Sequence, residues 1–595
     1  MVLNRSNELR LWPGFAVVAV QWLVRFGLPT VAPDTSLYAI IAGVVGGALV
    51  VIWWLAFSRA LWLERLGVLV VAIAGIAATP LILDRSIATA MMGKMFPIVN
   101  TPVMSLAWVG AAWATRRLPV PQRPMWISAG ILCACGSWAL LRTDGIAGEG
   151  FPNLAWRWSL DAEQKLLAST AASTPLPTPP APVRAPEIKQ PTTSPVAVPV
   201  PIPTPAPKPL PDWPGFRGPR RDGVVRGLRI SSDWKASPPA EIWRRKVGPG
   251  WSSFASGGGL IYTQEQRGEF EIVSCYRAAT GEPVWTHRHK ARFWESNAGA
   301  GPRSTPTLSE GRVYTLGATG ILNAIDAGTG AVVWARDAAG ETGAKTPDWG
   351  FAGSPLITDG MVVAAVSGHL IAYDVATGTR RWSVEAGRTS YSSPHLLSAS
   401  PVKQILLVHG SGLTAVAPAT GTVLWKYVWS GFAPLQPAIV PDGLLMATSS
   451  DAGGIGIRRL AIASGAEGWA VEEKWTSTGL KPYFNDFAVH GEHAYGFDGS
   501  ILSCIDLSDG KRKWKGGRFG HGQMLILADQ GAMLVLSEEG ELALVATSNS
   551  AFEELARVRV LEGKTWNHPA LSGNTLLVRN GEEMAAYRLP LAESR

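Results

Sequence analysis

The chain has 595 residues, of which 47% are hydrophobic and 17% are charged, and its formal net charge is +8. A single hydrophobic core stops growing near about 250–300 residues, so more than one domain is expected. Four cysteines are too few for a disulfide-stabilised scaffold, and no nucleic-acid motif accompanies the positive charge, which argues against a nucleic-acid partner.

The first 145 residues are predominantly apolar and predict a transmembrane helical domain that contacts the lipid bilayer. Five stretches can each cross a hydrocarbon core of about 30 Å. They run approximately over 11–28, 38–57, 66–83, 96–114 and 125–141. The fourth stretch is the weakest, because Pro97, Asn100 and Pro102 lie near its start.

Basic residues are distributed unevenly between the loops of this domain. Seven arginines lie on the side of the N-terminus, whereas only Arg85 and Lys94 lie on the other side. Because basic loops stay in the cytoplasm, this pattern predicts a multi-pass protein of the bacterial inner membrane with a cytoplasmic N-terminus. Five spans then place the rest of the chain in the periplasm or outside, whereas four spans would keep it in the cytoplasm.

A short juxtamembrane segment, 146–170, precedes a proline-rich linker, 171–211. Between Pro175 and Pro211, fifteen of thirty-seven residues are proline, which favours an extended polyproline II conformation over a packed core. We predict that the linker is a semi-rigid stalk, with a proline-rich docking ligand as the alternative. The juxtamembrane residues 151–167 are predicted to form a short interfacial helix.

One sequence frame recurs in the remaining domain, 212–595. Its clearest copy is Ala324-Ile-Asp326-Ala-Gly-Thr329-Gly330-Ala-Val-Val-Trp334, and further copies lead to Trp285, Trp382, Trp425 and Trp514. Asp and Thr can satisfy backbone groups in a turn, Gly can adopt a positive φ, and Trp returns on the buried face of the next strand. Spacings of 49, 48 and 43 residues between the first four tryptophans fit a four-stranded blade.

A second series of segments gives the number of blades. Each precedes an expected innermost strand and is called here a lead-in segment. The eight lead-in segments begin at or near Trp251, Arg303, Phe351, Tyr391, Phe432, Phe484, His521 and Trp566. They predict eight blades. The last blade lacks an outer strand of its own, so the strand around 242–247 is expected to complete it and close the ring.

These repeats resemble those of the PQQ-like (pyrroloquinoline quinone) family of eight-bladed β-propellers. The motif Asp212-Trp-Pro-Gly-Phe-Arg-Gly-Pro219 resembles the start of many bacterial propellers of this kind. The resemblance implies an all-β eight-bladed propeller behind a helical membrane domain. The family includes quinoprotein alcohol and sugar dehydrogenases and the non-enzymatic propeller of the outer-membrane β-barrel assembly machinery. It therefore implies either a binding and scaffolding module with a protein partner on one rim, or a PQQ-dependent dehydrogenase that passes electrons to the membrane.

The dehydrogenase reading requires Ca²⁺ on the quinone, an Asp as general base and a cation that polarises a quinone carbonyl. The lead-in segments supply Asp486 as the candidate base and Arg303 as the candidate cation. The candidates for lining the channel mouth and contacting a cofactor are Trp251, Tyr391, Asn485, His521, Gln523, Trp566 and Asn567. No convergent set of Ca²⁺ ligands is evident. The alternative for each residue is a structural role at a strand end, so PQQ and Ca²⁺ are candidate cofactors only.

Overall fold

The structure is a computed structural model that describes residues 9–32, 35–148, 150–171, 213–398, 402–432, 434–450, 453–466 and 468–592. The chain divides into two compact units. The first comprises residues up to Asp161 together with Trp294–Gly299, and the second comprises Ala162–Phe293 and the residues from Ala300 onward. The predicted linker, 171–211, lies outside the described residues except for Ala171.

The first unit is helical. Its α-helices are Trp12–Trp22, Leu28–Val31, Ser36–Ile52, Trp62–Ala78, Arg85–Thr89, Met95–Ala114 and Arg123–Gly136. Leu23–Gly27 and Trp53–Phe57 are π-helical, and Thr79–Leu81 and Ser137–Leu140 are 3₁₀ turns. Among the described residues, four continuous helices are long and apolar enough to cross a membrane: Trp12–Val31, Tyr38–Phe57, Trp62–Leu81 and Met95–Ala114.

The fifth predicted span, 125–141, differs from the other four. Its α-helix, Arg123–Gly136, is extended only by the 3₁₀ turn Ser137–Leu140, so the predicted count of five is not reproduced by length and hydropathy. The chain then forms a hairpin from strands Leu141–Ile146 and Pro152–Trp156. The charged and glycine-containing sequence after Leu141 cannot continue an apolar helix.

The helix predicted over 151–167 is wrong in its first half. Residues Pro152–Trp156 form the second strand of the hairpin, and the helix begins only at Ala162 and ends at Ala171. Trp156 and Trp158 stack with their ring centroids 5.0 Å apart. Proline has no backbone N–H to donate within a helix, and tryptophan favours strands, so the local sequence supports the hairpin.

The second unit is an eight-bladed β-propeller, in which each blade contains four antiparallel strands that are consecutive along the chain in blades 1 to 7. Blade 1 comprises Ala255–Gly257, Leu260–Arg267, Phe270–Arg277 and Pro283–Lys290, and blade 2 comprises Thr307–Ser309, Arg312–Leu316, Ile321–Asp326 and Val332–Asp337. Blade 3 comprises Leu356–Thr358, Met361–Val366, His369–Asp374 and Arg380–Glu385, and blade 4 comprises His395–Leu397, Gln404–His409, Gly412–Val416 and Val423–Val428. Blade 5 comprises Ala438–Val440, Gly443–Ser450, Gly453–Gly465 and Gly468–Ser477. Blade 6 comprises Phe487–His490, His493–Asp498, Ile501–Asp506 and Arg512–Arg518. Blade 7 comprises Gln523–Leu527, Ala532–Leu536, Glu541–Ala546 and Glu554–Arg559. The first strand of each blade is the inner strand, and the inner strands of neighbouring blades lie side by side.

Blade 8 confirms the predicted closure of the ring. Its strands are Ala570–Ser572, Thr575–Arg579 and Glu583–Arg588, and the outer strand, Ala240–Lys246, comes from before blade 1. Ala586 pairs with Trp243 across this junction.

The short elements outside the blades are strands Val224–Val225, Trp294–Glu295 and Gly299–Ala300, helix Ala338–Thr342 and the 3₁₀ turn Ala528–Gln530.

The repeated frame joins neighbouring blades, as the junction between blades 1 and 2 shows. Asp326 accepts hydrogen bonds from the backbone N–H of Thr329 at 2.8 Å and from its hydroxyl at 2.7 Å, as the frame predicts. Gly330 has φ +77°, and a Cβ there would lie 2.6 Å from the indole of Trp285 in the preceding blade. That indole donates to the carbonyl oxygen of Ala327 at 3.0 Å. The glycine is therefore needed both for its backbone conformation and because a tryptophan of the neighbouring blade packs on it.

Candidate functional site

The segment Trp213–Val225, called here the plug, runs along the inner strands of several blades. Its first residue bridges to Ser256 in the inner strand of blade 1. The carbonyl oxygen of Pro214, its second residue, accepts a hydrogen bond from the N–H of Leu308 in blade 2 at 2.7 Å. Its last two residues, Val224 and Val225, form a parallel strand pair with Gln523–Leu527, the inner strand of blade 7. The chain thus contributes its own segment to the interior of the ring before the first blade begins.

Arg217 of the plug is the cation that pairs with Asp486. Its Nε lies 2.7 Å from Oδ2 of the carboxylate, and Nη2 donates to the carbonyl oxygen of Phe487 at 2.6 Å. His568 Nε2 lies 3.1 Å from the same Oδ2, and the N–H of Phe487 donates to Oδ1 at 2.8 Å. Burial alone would raise the pKa of Asp486, but Arg217 and His568 hold it below its usual value. The carboxylate is therefore ionised, with both oxygens engaged.

A second arginine of the plug reaches a different part of the ring. Arg221 donates from Nη1 to the carbonyl oxygen of Pro355 at 2.9 Å and from Nη2 to that of Ser354 at 3.0 Å, both in the lead-in segment of blade 3. Burial, together with the nearby Arg217, lowers the pKa of Arg221 to about 10. Burial and the same two arginines lower the pKa of His395 in blade 4 to about 3, so this imidazole is neutral at physiological pH.

Both plug arginines adopt left-handed backbone conformations, with φ +62° at Arg217 and φ +56° at Arg221. A non-glycine residue in such a conformation costs on the order of 1–3 kcal/mol. The buried hydrogen bonds of the two guanidinium groups stabilise these conformations. The plug is consequently a specified structural element, anchored on opposite parts of the inner ring.

The three predicted amide side chains are hydrogen bonded to backbone groups. Asn485 Oδ1 accepts from the N–H of Tyr483 at 2.8 Å. Gln523 Nε2 donates to carbonyl oxygens of two neighbouring lead-in segments, at 3.2 Å in each case. Asn567 Nδ2 donates to the carbonyl oxygen of Ser252 at 2.8 Å. Gln523 and Asn567 therefore join lead-in segments of different blades, whereas Asn485 fixes the turn of its own segment.

The four predicted aromatic and imidazole residues do come together. They belong to a chain of rings, called here the aromatic arc, with centroid separations between 4.7 and 6.3 Å. Its members are Trp251, Trp349, Tyr391, Phe432, Tyr483, Phe484, His521 and Trp566. Tyr391 is buried and the others are half-buried. The arc thus presents a partly accessible apolar surface on the lead-in side of the propeller.

Sequence reasoning missed Trp349 and Tyr483 as members of this arc. Trp349 joins its two halves, since its centroid lies 5.0 Å from that of Tyr391 and 6.3 Å from that of Tyr483. It lies two residues before the lead-in segment that begins at Phe351, so an aromatic residue immediately upstream of a lead-in segment was the available signal. Lys564 Nζ lies 4.4 Å from the ring centroid of Trp566 and adds a positive charge to the arc.

The predicted cation, Arg303, lies in a different environment from Asp486. It donates from Nη1 to the carbonyl oxygens of Ala300 at 3.2 Å and Gly301 at 2.6 Å, and its guanidinium lies 5.1 Å from the ring centroid of Phe293. Arg303 also favours the ionised form of Glu271, but burial dominates and raises the pKa of this carboxyl to about 7. Asp486 therefore has Arg217 as its ion-pair partner, whereas Arg303 interacts with loop carbonyls and an aromatic ring.

Among the predicted oxygen donors, Asn567 Oδ1 is buried without a hydrogen-bond partner, but Asp486 and Asn485 do not fit a Ca²⁺ ion that would hold PQQ. Calcium needs several oxygens free to converge on one point, yet Asp486 and Asn485 direct theirs at Arg217, His568 and backbone N–H groups. Within the described ranges, no group of three or more His, Cys, Asp or Glu side chains could hold a metal ion.

The family model described as outer membrane protein assembly factor BamB matches residues 236–347 and 269–516. The propeller is built from PQQ-like repeats. A quinohemoprotein alcohol dehydrogenase, ADH-IIG of Pseudomonas putida, is 29% identical to this PQQ-like propeller over 160 residues, which is 24% of this chain and 21% of that protein. The assembly factor BamB of Yersinia pestis is 24% identical over 199 residues, 32% of this chain and 48% of its own length.

Among solved structures, BamB of Moraxella catarrhalis has a TM-score of 0.43 at 14% identity, covering 59% of this chain and all of its own. The sequence matches to the two curated relatives span less than half of either relative's length. The PQQ-like propeller of this chain therefore has relatives in both an enzyme and an assembly factor.

Proposed function

We propose that this protein is a membrane-anchored PQQ-like propeller that binds and scaffolds a protein partner outside the cytoplasm and is not a catalyst. The observation that carries the proposal is the ion pair between Arg217 and Asp486. A general base near neutral pH must be free to accept a proton. Asp486 instead has a lowered pKa and bonds to the chain's own arginine and histidine, which suits a structural role.

The aromatic arc is the proposed docking surface. Aromatic residues are enriched at the energetic centres of protein interfaces, where they supply large contact areas at low conformational entropy cost. The arc brings rings from several lead-in segments together and leaves most of them half-buried. Relatives named as assembly factors support a protein partner for this surface.

For the membrane unit we propose the five-span arrangement, with the N-terminus in the cytoplasm and the propeller outside. Four helices meet the length and hydropathy needed to cross. The fifth helical stretch, Arg123–Gly136 with Ser137–Leu140, is shorter. At 1.5 Å per α-helical and 2.0 Å per 3₁₀ residue it is nevertheless about 29 Å long, close to a hydrocarbon core.

A PQQ-dependent alcohol or sugar dehydrogenase is the second candidate. The observation that favours it is the combination of flat aromatic rings with the cation Lys564, since such surfaces suit a planar anionic cofactor. The likeness to a quinohemoprotein alcohol dehydrogenase points the same way. In this function, Trp251 and Trp566 would contact the cofactor, and PQQ would supply the redox chemistry.

One experiment distinguishes the two functions. The full chain, purified in detergent, is titrated with PQQ and Ca²⁺ while tryptophan fluorescence is followed, and reduction of an artificial electron acceptor is assayed with alcohols and aldoses. We expect neither saturable quenching at micromolar PQQ nor turnover. Saturable binding with turnover that is lost in Asp486→Asn would overturn the scaffolding proposal in favour of the dehydrogenase.

The scaffolding function itself is tested by photo-crosslinking in cells. A photoreactive amino acid at position 566, in the arc, should yield a specific adduct with a protein partner. The matched control carries the same residue at exposed Lys511, in the turn before the outer strand of blade 6, and should yield none. Equal adducts from both positions, or none from position 566, would contradict the arc as the docking surface.

A further inference from the structure

A buried carboxylate in blade 6 is contacted by three basic side chains. Asp498 ends the second strand of the blade, and its side chain is only 4% exposed. Lys481 Nζ lies 3.0 Å from Oδ1, whereas Lys515 Nζ lies 2.9 Å and Arg512 Nη2 lies 2.5 Å from Oδ2. The two ammonium groups therefore sit on the two oxygens of a single carboxylate.

The charges of this cluster are not balanced. Three positive groups against one negative group leave an excess of two positive charges. Two other lysines on the same part of the chain are matched one to one, because Lys511 pairs with Asp509 at 2.8 Å and Lys513 with Asp506 at 3.7 Å. Like charges held this close repel one another, so an additional anion would stabilise the cluster.

The two lysines retain donors for such an anion. Each ammonium has three N–H groups and directs one of them at Asp498. The lysine side chains are 39% and 32% exposed, so the remaining donors of Lys481 and Lys515 are accessible to a ligand. Arg512 donates further to the carbonyl oxygens of Thr478 and Gly479 at 3.3 Å, which makes it a positioning residue.

We propose that Lys481 and Lys515, oriented by Asp498 and Arg512, bind the phosphate group of a phosphate monoester. Such a group carries about −1.5 to −2 charges at neutral pH, which matches the excess of two positive charges, whereas one carboxylate would leave part of it uncompensated. Lysine is a common phosphate ligand because its ammonium acts as a point charge. This site is independent of the scaffolding function proposed above.

The test uses the full chain in detergent at low ionic strength and measures binding of inorganic phosphate at pH 8 by calorimetry. The double variant Lys481→Gln/Lys515→Gln should bind at least tenfold more weakly than the unmodified protein. The control Lys511→Gln/Lys513→Gln removes the same net charge from balanced pairs and should change affinity less than twofold. Thermal unfolding of each variant shows whether it is folded.

Two further measurements keep the outcome decisive. Asp498→Asn keeps an oxygen that accepts from the lysines but removes the competing negative charge, so it should bind phosphate more tightly, a gain that misfolding cannot produce. Dihexanoyl phosphatidic acid, compared with dihexanoyl phosphatidylcholine, identifies a lipid headgroup as the source if only the former binds and the lysine pair is required. Absence of saturable phosphate binding, or equal loss in the double variant and its charge-matched control, would overturn the proposal.

Discussion

Nε of Arg217 lies 2.7 Å from Oδ2 of Asp486, and both side chains are buried within the propeller. The pair joins a segment that precedes blade 1 to the lead-in segment of blade 6. A buried charge without a partner is costly, so each residue makes the burial of the other tolerable. The same contact engages the carboxylate of Asp486, which the sequence predicted to be a general base.

Arg217→Ala is expected to destabilise the protein by about 3–5 kcal/mol, because it leaves Asp486 buried and uncompensated. Denaturant unfolding of the full chain in detergent measures the change. The control is Arg220→Ala, an exposed neighbour whose removal should cost less than about 0.5 kcal/mol. The double variant Arg217→Met/Asp486→Leu should recover most of the loss, and a purely additive double variant would contradict the coupling.

Gly330→Ala should destabilise the junction between blades 1 and 2. The left-handed conformation costs alanine about 1–2 kcal/mol, and the clash with the indole of Trp285 adds about 1–3 kcal/mol. Gly311→Ala is the matched control, because it has φ +73° but nothing within 4 Å of its Cβ position. Thermal unfolding should separate the two variants, and equal losses would show that the tryptophan contact contributes nothing.

The pH dependence of stability should reveal His395. In the unfolded protein, the imidazole of His395 binds a proton below about pH 6.5. In the folded protein, burial beside two arginines lowers the pKa of His395 to about 3. Protonation therefore favours the unfolded state, and this stability is present above about pH 6.5 and lost as the pH falls towards 3. The slope reaches about 1.4 kcal/mol per pH unit between these values.

His395→Gln should remove this slope. Denaturant unfolding at pH 7.5 and pH 5 should show the variant losing less stability on acidification than the unmodified protein. Glu271, whose pKa is raised to about 7 by burial, acts in the opposite direction but is present in both proteins. Comparison of the two proteins therefore isolates His395, and parallel pH profiles would contradict the assignment.

The membrane topology is testable with terminal tags. With five spans, a C-terminal tag should be digested by protease added to spheroplasts, whereas an N-terminal tag should be protected. Deletion of residues 123–140 removes the fifth helical stretch and should transfer the C-terminal tag to the protected side. A C-terminal tag that is protected in the intact protein would exclude the five-span arrangement.

The amino-acid sequence by itself determined the blades and the closure of the ring. Their signals are local: Asp326, Thr329 and Gly330 specify a turn within a few residues, and Trp334 follows at a fixed distance. Because each hairpin leaves an apolar face uncovered, repetition of this unit implies stacking, and a final blade without an outer strand implies closure. The partner of the tryptophan was not local, and only the structure showed that the indoles of Trp285, Trp334 and Trp382 each pack on the glycine of the next blade.

The site was decided by the tertiary structure. Asp486 could be found from its lead-in segment, but its ion pair with Arg217 depends on a plug that runs along the inner strands of several blades. The same holds for Trp349 in the aromatic arc and for Lys481 at Asp498. Sequence spacing encodes hydrogen bonds within a turn or hairpin, whereas ion pairs and ring contacts between distant segments arise only when closure of the propeller brings those segments together.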